Sequence, residues 1–182
     1  MSKRKLRLLP SQEVLRELLD YDPETGVLTW RERDRKWFKT KRSYNRWNNR
    51  FAGKKAGSKM QTGYCEIKII GTSFLLHRVT WKLVHNEEPE QVDHINHNRA
   101  DNRLTNLRVA TNKINGMNQS LNKLNTSGVI GVWQKSRDGR WVAEIKIDQK
   151  KMNLGCFEYK ADAIAARQAA NVKYNFHENH GS

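Results

Sequence analysis

Between Val92 and Asn115 the chain reads VDHINHNRADNRLTNLRVATNKIN, which holds two histidines, two aspartates and six asparagines and almost no apolar run. A stretch of this kind is a polar loop, a metal-binding finger or the working part of an enzyme. Its local order is nevertheless constrained. "QVDHI" reads as a short strand, "NHNRADNRLTNL" as a loop and "RVAT" as a second strand, after which Thr111 caps a helix through "NKINGMNQ". The predicted succession is strand, long loop, strand, helix.

The segments around it have clearer periodicity. After Pro10, Ser11 caps a short amphipathic helix whose stripe is Val14, Leu15, Leu18 and Leu19. "YDPETGVLTW" has turn chemistry at Asp22-Pro23 and Thr25-Gly26 and then a short strand ending at Trp30. "GYCEIKIIGTSFLLHRVTWKLVHNEEP" reads as two strands joined at Gly71-Thr72 and a helix on Val79, Leu83 and Val84, with Trp81 alongside, that ends before Pro89. Between these lies a basic segment, 31–51, in which nine Lys/Arg accompany only Glu32 and Asp34, with Trp37, Phe38, Tyr44, Trp47 and Phe51 interspersed. Two readings stay open for it: charges and rings directed at nucleic acid, or a floppy insertion whose Trp37 and Trp47 instead pack onto the domain body.

Beyond a polar, acid-free stretch at 116–127, "GVIGVWQ", "RWVAEIKI" and "KMNLGCF" read as three strands separated by turns at Asp138-Gly139 and Asp148-Gln149. "KADAIAARQAANVKYNF" reads as a helix with Ile164, Ala165, Ala169, Val172 and Phe176 as its buried stripe. The expected division is a domain over 1–118, a linker over 119–127 and a second domain over 128–182.

Charge narrows the function. The chain has 34 Lys and Arg against 19 Asp and Glu, a formal net charge of +15, which points to a polyanion, nucleic acid first. Cys65 and Cys156 form no C-x-x-C, so neither a disulfide framework nor a cysteine zinc site is expected, and a reducing, intracellular setting fits best. The start, "MSKRKLRLLPSQ", lacks the apolar stretch of a secretion signal, and no segment is apolar over a membrane-spanning length. No membrane role is expected, and no obligatory protein partner is evident.

In the opening stretch a zinc finger fits poorly, because there is no cysteine and the only imidazoles are His94 and His97. A hard cation such as Mg²⁺ takes one or two carboxylate or amide oxygens, keeps several waters and accepts phosphate oxygens as further ligands. Asp93 and the later asparagines suit it. Neighbouring strand residues point to opposite sides, so Asp93 could hold a metal at the departing oxygen of a phosphodiester while His94 addresses a water across it. With a reference pKa of about 6.5, histidine suits the role of base. His97 reads as an exposed loop residue and His77 as structural.

"DH", then an "N-x-L-x-N-L-R" loop, then an asparagine on the following helix resembles the ββα-metal core of HNH endonucleases, and most of all the phage and intron-associated homing enzymes. The lead-in "YDPETGVLTW … GYCEIKIIGTSFLLHRVTW" is similar too, so the resemblance covers roughly 12–118. It implies His94 as general base, Asn106 as the brace of the loop, and Asp93 and Asn115 as ligands of Mg²⁺ or Mn²⁺. Asparagine thus stands where the family's third letter is histidine, which argues against a zinc-preferring subtype. Arg78, Arg99, Arg103 and Arg108 are candidate phosphate clamps, each equally readable as a solvated surface residue.

"SGVIGVWQKSRDGRWVAEIKIDQKKMNLGCFEYKADAIAARQAA" resembles an AP2 DNA-binding domain, most closely at Gly131-Val132, Arg140 to Ile145 and Leu154 to Phe157. The resemblance implies three antiparallel strands in the major groove, backed by a helix. Candidate contacts are Trp133, Gln134, Lys135, Arg137, Arg140, Trp141, Lys146 and Lys151, with Trp141 also readable as core. Ile130 and Asn153 depart from the plant pattern, so its sequence specificity does not transfer.

The expected fold class is α+β, with a ββα-metal (HNH) nuclease domain followed by a three-stranded antiparallel sheet plus a helix. The expected function is a divalent-metal-dependent, homing-type DNA endonuclease acting on double-stranded DNA, cytoplasmic in a bacterial host if phage-encoded as the resemblance suggests. The alternatives are a non-cleaving DNA-binding regulator that retains an HNH-like scaffold and an RNA-binding protein; narrow A-form grooves disfavour the latter.

Overall fold

Local signals and small sheets account for most of the architecture. The computed structural model describes residues 8–111, 115, 121–122, 124–148, 150–176 and 180. The chain divides into two compact units, Met1–Val109 and Ala110–Ser182, each mixing helices with small antiparallel sheets. No helix among the described residues is long and apolar enough to cross a membrane.

In the first unit Ser11 caps α1 (Gln12–Leu18) by accepting from the Val14 amide. Leu19 opens β1 (Leu19–Asp22), which pairs antiparallel with β2 (Val27–Trp30). The strand β1 escapes a sequence reading because Leu19 also completes the helical stripe and only four residues are extended. α2 (Lys41–Phe51) starts at a capping box between Thr40 and Ser43. β3 (Ser58–Lys59), β4 (Cys65–Ile69) and β5 (Thr72–Leu75) form a three-stranded sheet, and α3 (Leu76–His85) ends at Asn86 in the left-handed region. α1 lies against α3, where the Gln12 side-chain amide donates to the Leu83 carbonyl at 2.9 Å. Leu15, Leu18, Leu28, Ile67, Ile69 and Val79 are buried at the centre of the core. Trp37, Trp47 and Phe51 pack against that core, so the basic segment is an ordered helix with its rings turned inward and not a floppy insertion.

In the second unit β8 (Val132–Gln134), β9 (Trp141–Ile147) and β10 (Lys150–Phe157) form an antiparallel sheet with β9 in the middle. α4 (Lys160–Lys173) backs it through Ala163, Ile164 and Ala166, which meet Val132, Ala143, Leu154 and Phe157. The buried stripe differs from the expected one: Ala163, Arg167 and Ala170 face inward, Ile164 and Phe176 are half-buried, and Ala165, Ala169 and Val172 are exposed. The reason is Arg167, which apolar periodicity counts as surface. It is 2% exposed, its Nε donates to the Ile130 carbonyl at 2.8 Å, and its guanidinium lies 5.1 Å from the Phe176 ring centre. Burial pulls its pKa down.

Gly131 makes the close approach to this arginine possible. Its φ is +79°, and a Cβ there would stand 2.2 Å from the Glu144 carbonyl oxygen and 3.0 Å from Arg167 Nε. Gly131→Ala is expected to lower the unfolding free energy of the second unit by about 2–4 kcal/mol, combining left-handed strain with overpacking. Denaturant titration followed by tryptophan fluorescence checks it, and an unchanged midpoint would contradict this packing.

Candidate active site

β6 (Val92–His94) and β7 (Leu107–Val109) pair antiparallel with Asp93 opposite Arg108 and His94 opposite Leu107. Two strands of three residues cannot hold the intervening loop by themselves. Side-chain amides do so. Asn106, 6% exposed, accepts from the Asn96 amide at 2.9 Å and donates to the Asp101 carbonyl at 2.8 Å, which braces the loop across its middle. The Asn96 side chain donates to the Asp101 carboxylate at 3.0 Å and accepts from the Asn98 amide. From outside the loop, the Tyr21 hydroxyl donates to the Asn102 carbonyl and accepts from the Leu104 amide, both at 3.1 Å. Gly26, at φ +70°, lets the β1–β2 turn lie against the same place: a Cβ there would fall 2.5 Å from the Arg103 nitrogen.

This frame fixes His94, which is 3% exposed. Asn102, 2% exposed, places its side-chain oxygen 3.3 Å from His94 Nε2 and donates its Nδ2 to the Ala100 carbonyl at 3.1 Å. Because the amide nitrogen is engaged at Ala100, the oxygen faces the ring, and His94 Nε2 is the protonated nitrogen. Nδ1 is therefore the basic nitrogen. Burial lowers the pKa of His94 below its ordinary 6.5, against the Asn102 hydrogen bond and the nearby Asp93 and Asp101, which act to raise it. Two further rings surround it: His77 at 4.9 Å between ring centres, edge to face, and Tyr64 at 5.9 Å. His77 is itself buried, and desolvation, with His94 and Arg78 nearby, lowers its pKa to about 3.

The four arginines separate by what they touch. Arg108 donates to the Asp93 carboxylate at 3.1 Å, both side chains being partly buried. Arg99 lies with its guanidinium 4.7 Å from the Tyr64 ring centre and donates to the Thr62 carbonyl, close to the His94 cluster. Arg103 is clamped by both oxygens of Asp101, and its hydrogen bond is the first cause of that carboxyl's lowered pKa. Arg78 pairs at 3.3 Å with Glu88, whose Oε1 also accepts from the Leu9 amide. His97 is half-buried in the left-handed region, its amide donating to the His94 carbonyl at 3.3 Å. Asn115 belongs to the second unit, where it is helical and its amide donates to the Thr111 carbonyl at 2.9 Å; the rest of the expected helix lies outside the described residues.

Among the described residues no three His, Cys, Asp or Glu side chains cluster as a cage. Asp93 beside His94 offers a carboxylate, a donor that a divalent cation can take together with water and phosphate oxygens.

Residues 74–117 match the HNH endonuclease family. That segment runs from β5 through α3 to the far side of β7 and contains His77, Asp93, His94, Asn102, Asn106 and Arg108. The match supports a nuclease with DNA as its substrate. Neither a curated protein nor a solved structure matches the chain.

In the second unit the pairing register sorts the remaining candidates. Trp133, Glu144, Lys146, Lys151 and Asn153 share the sheet face away from α4, where Lys151 pairs with Glu144 at 3.0 Å. Trp141 and Gln134 alternate to the other face; Trp141 joins the packing with α4, and the Gln134 side chain donates to the Gly139 carbonyl at 2.7 Å. Lys135, Arg137 and Arg140 belong to the β8–β9 turn. Reading the sequence by motif missed Asn102, Tyr64 and Tyr21. Asn102 is one of six asparagines in a polar run, and Tyr64 lies thirty residues from His94 in sequence.

Burial lowers the pKa of both histidines in the folded protein, so below about pH 6.5 the unfolded chain binds more protons and stability is lost as pH falls, for His77 down towards 3. His77 contributes up to about 1.4 kcal/mol per pH unit to this fall. His77→Phe is expected to make the loss of stability between about pH 6.5 and 5 shallower in denaturant titrations. An unchanged slope would contradict the buried, neutral state of His77.

Proposed function

We propose that this chain is a divalent-metal-dependent DNA endonuclease of the homing type, using Mg²⁺ or Mn²⁺. The observation that carries the reading is His94, held neutral by burial and oriented by Asn102 so that Nδ1 is basic, directly beside Asp93. His94 takes the proton of the attacking water. Asp93 holds the metal. Asn106 braces the loop that keeps His94 and Asp93 in place. When bound, the cation neutralises charge developing on the departing oxygen. Arg99, beside the histidine cluster, is the clamp best placed for phosphate. The second unit, a three-stranded sheet with a helix behind it, is the AP2-like reader of duplex DNA, through Trp133, Lys146 and Lys151 on its open face and Lys135, Arg137 and Arg140 in its turn. Tethering such a reader raises the effective concentration of the nuclease at its target.

A second reading rests on the Arg108–Asp93 pair: a DNA-binding regulator in which Arg108 keeps the carboxylate permanently engaged. Plasmid nicking separates the two. With Mg²⁺ or Mn²⁺, the native protein is expected to nick supercoiled DNA and chelator to stop it, while His94→Ala lowers the rate by about 10²–10⁴-fold. Because the pKa of His94 is lowered, the rate should hold on acidification to below pH 6.5 before it falls. Absence of nicking under varied metals, with the gene's own flanking DNA as substrate, would favour the regulator. Equal nicking by His94→Ala would remove His94 from the role of base.

A further inference from the structure

The helix α2 has two faces of different chemistry. Inward, Trp47 sits edge-on to Trp30 at 5.5 Å and tilted to Phe51 at 5.3 Å, and Tyr44 sits edge-on to Phe38 at 5.8 Å. Asn48 closes the inner face, accepting from the Arg33 amide and donating to the Arg33 carbonyl, both at 3.0 Å. Outward, the exposed positions are Lys41, Arg42, Asn45, Arg46, Asn49 and Arg50. None is acidic, aliphatic or aromatic, and the next acid along the chain is Glu66.

Arg42, Arg46 and Arg50 are four residues apart, one above the other on one helix face. Like charges at this spacing destabilise a helix, and none of the three makes an ion pair among the described residues. Arg50 also lies over the Phe51 ring, 5.1 Å from its centre, but Arg42 and Arg46 have no such contact, and the inner face and the capping box hold α2. A polyanion supplies the missing countercharge. Arginine and asparagine are the side chains that meet phosphates and base edges, and the major groove of a B-form duplex admits a helix while that of A-form RNA does not. The outward face carries no apolar residue to enter a lipid interface.

We infer that the Arg42–Arg46–Arg50 face of α2 is a DNA-docking surface of the first unit that binds the phosphate backbone of a duplex. It rests on the nuclease reading only for the identity of the polyanion. Binding is therefore measured in chelator, where loss of cleavage has no effect, so the two failures are read separately.

The experiment uses the full chain and a labelled DNA duplex, with affinity followed by anisotropy across a series of salt concentrations. The variant Arg42→Gln/Arg46→Gln/Arg50→Gln is expected to reduce the slope of log affinity against log salt by about 2–3, and Arg46→Gln alone by about 1, since each phosphate contact contributes about 0.9. A charge-matched control, Arg16→Gln/Lys68→Gln/Lys173→Gln, removes three other exposed cations and is expected to leave the slope near its native value. Arg42→Gln/Arg46→Gln, which relieves repulsion and leaves Arg50 on the Phe51 ring, should melt no lower than the native chain. An unchanged slope in the α2 variants, an equal fall in the control, or an α2-dependent loss seen with RNA duplex and not with DNA would each overturn the proposal.

Discussion

A loop of twelve residues between two very short strands has almost no apolar surface to bury, so its shape depends on amide hydrogen bonds. Asn106 ties Asn96 to Asp101, and Asn102 ties His94 to Ala100. Both are nearly inaccessible to water, where an unsatisfied polar group costs about 1–3 kcal/mol. The same desolvation that makes these bonds matter keeps His94 unprotonated. Stability of the loop and the lowered pKa of His94 thus share one physical origin.

The surroundings of the loop extend this logic. Tyr21 and Gly26 bring the β1–β2 hairpin to its back, and α3 brings His77 against the His94 ring. Asp93 faces Arg108 across the strand pair, a register that places the only carboxylate next to His94 on β6 beside a cation. Such a pair orients Asp93, at the expense of competing with any cation that seeks it.

Much of this was legible in the residues. The helix at Ser11, the two strands before Leu76 and the helix that follows came from plain periodicity, and the strand–loop–strand order from the turn-rich composition of 92–109. The bracing role of Asn106 came from family resemblance and has its counterpart in two hydrogen bonds. What was hidden depends on tertiary contact. Asn102 and Tyr64 meet His94 only through folding, β1 is too short to announce itself, and Arg167 is a buried charge that a hydrophobic pattern assigns to solvent. The basic segment was ambiguous because both readings hold in part: its aromatic rings build the core while its exposed cations do not.

Asn102 selects the tautomer of His94, and burial lowers its pKa. Heteronuclear NMR of the His94 ring nitrogens, followed through pH in the 182-residue chain, reads both. The expected result is a proton on Nε2 and none on Nδ1 near neutral pH, titration below 6.5, and loss of that tautomer preference in Asn102→Ala. A proton on Nδ1, or a titration at or above 6.5, would contradict the account.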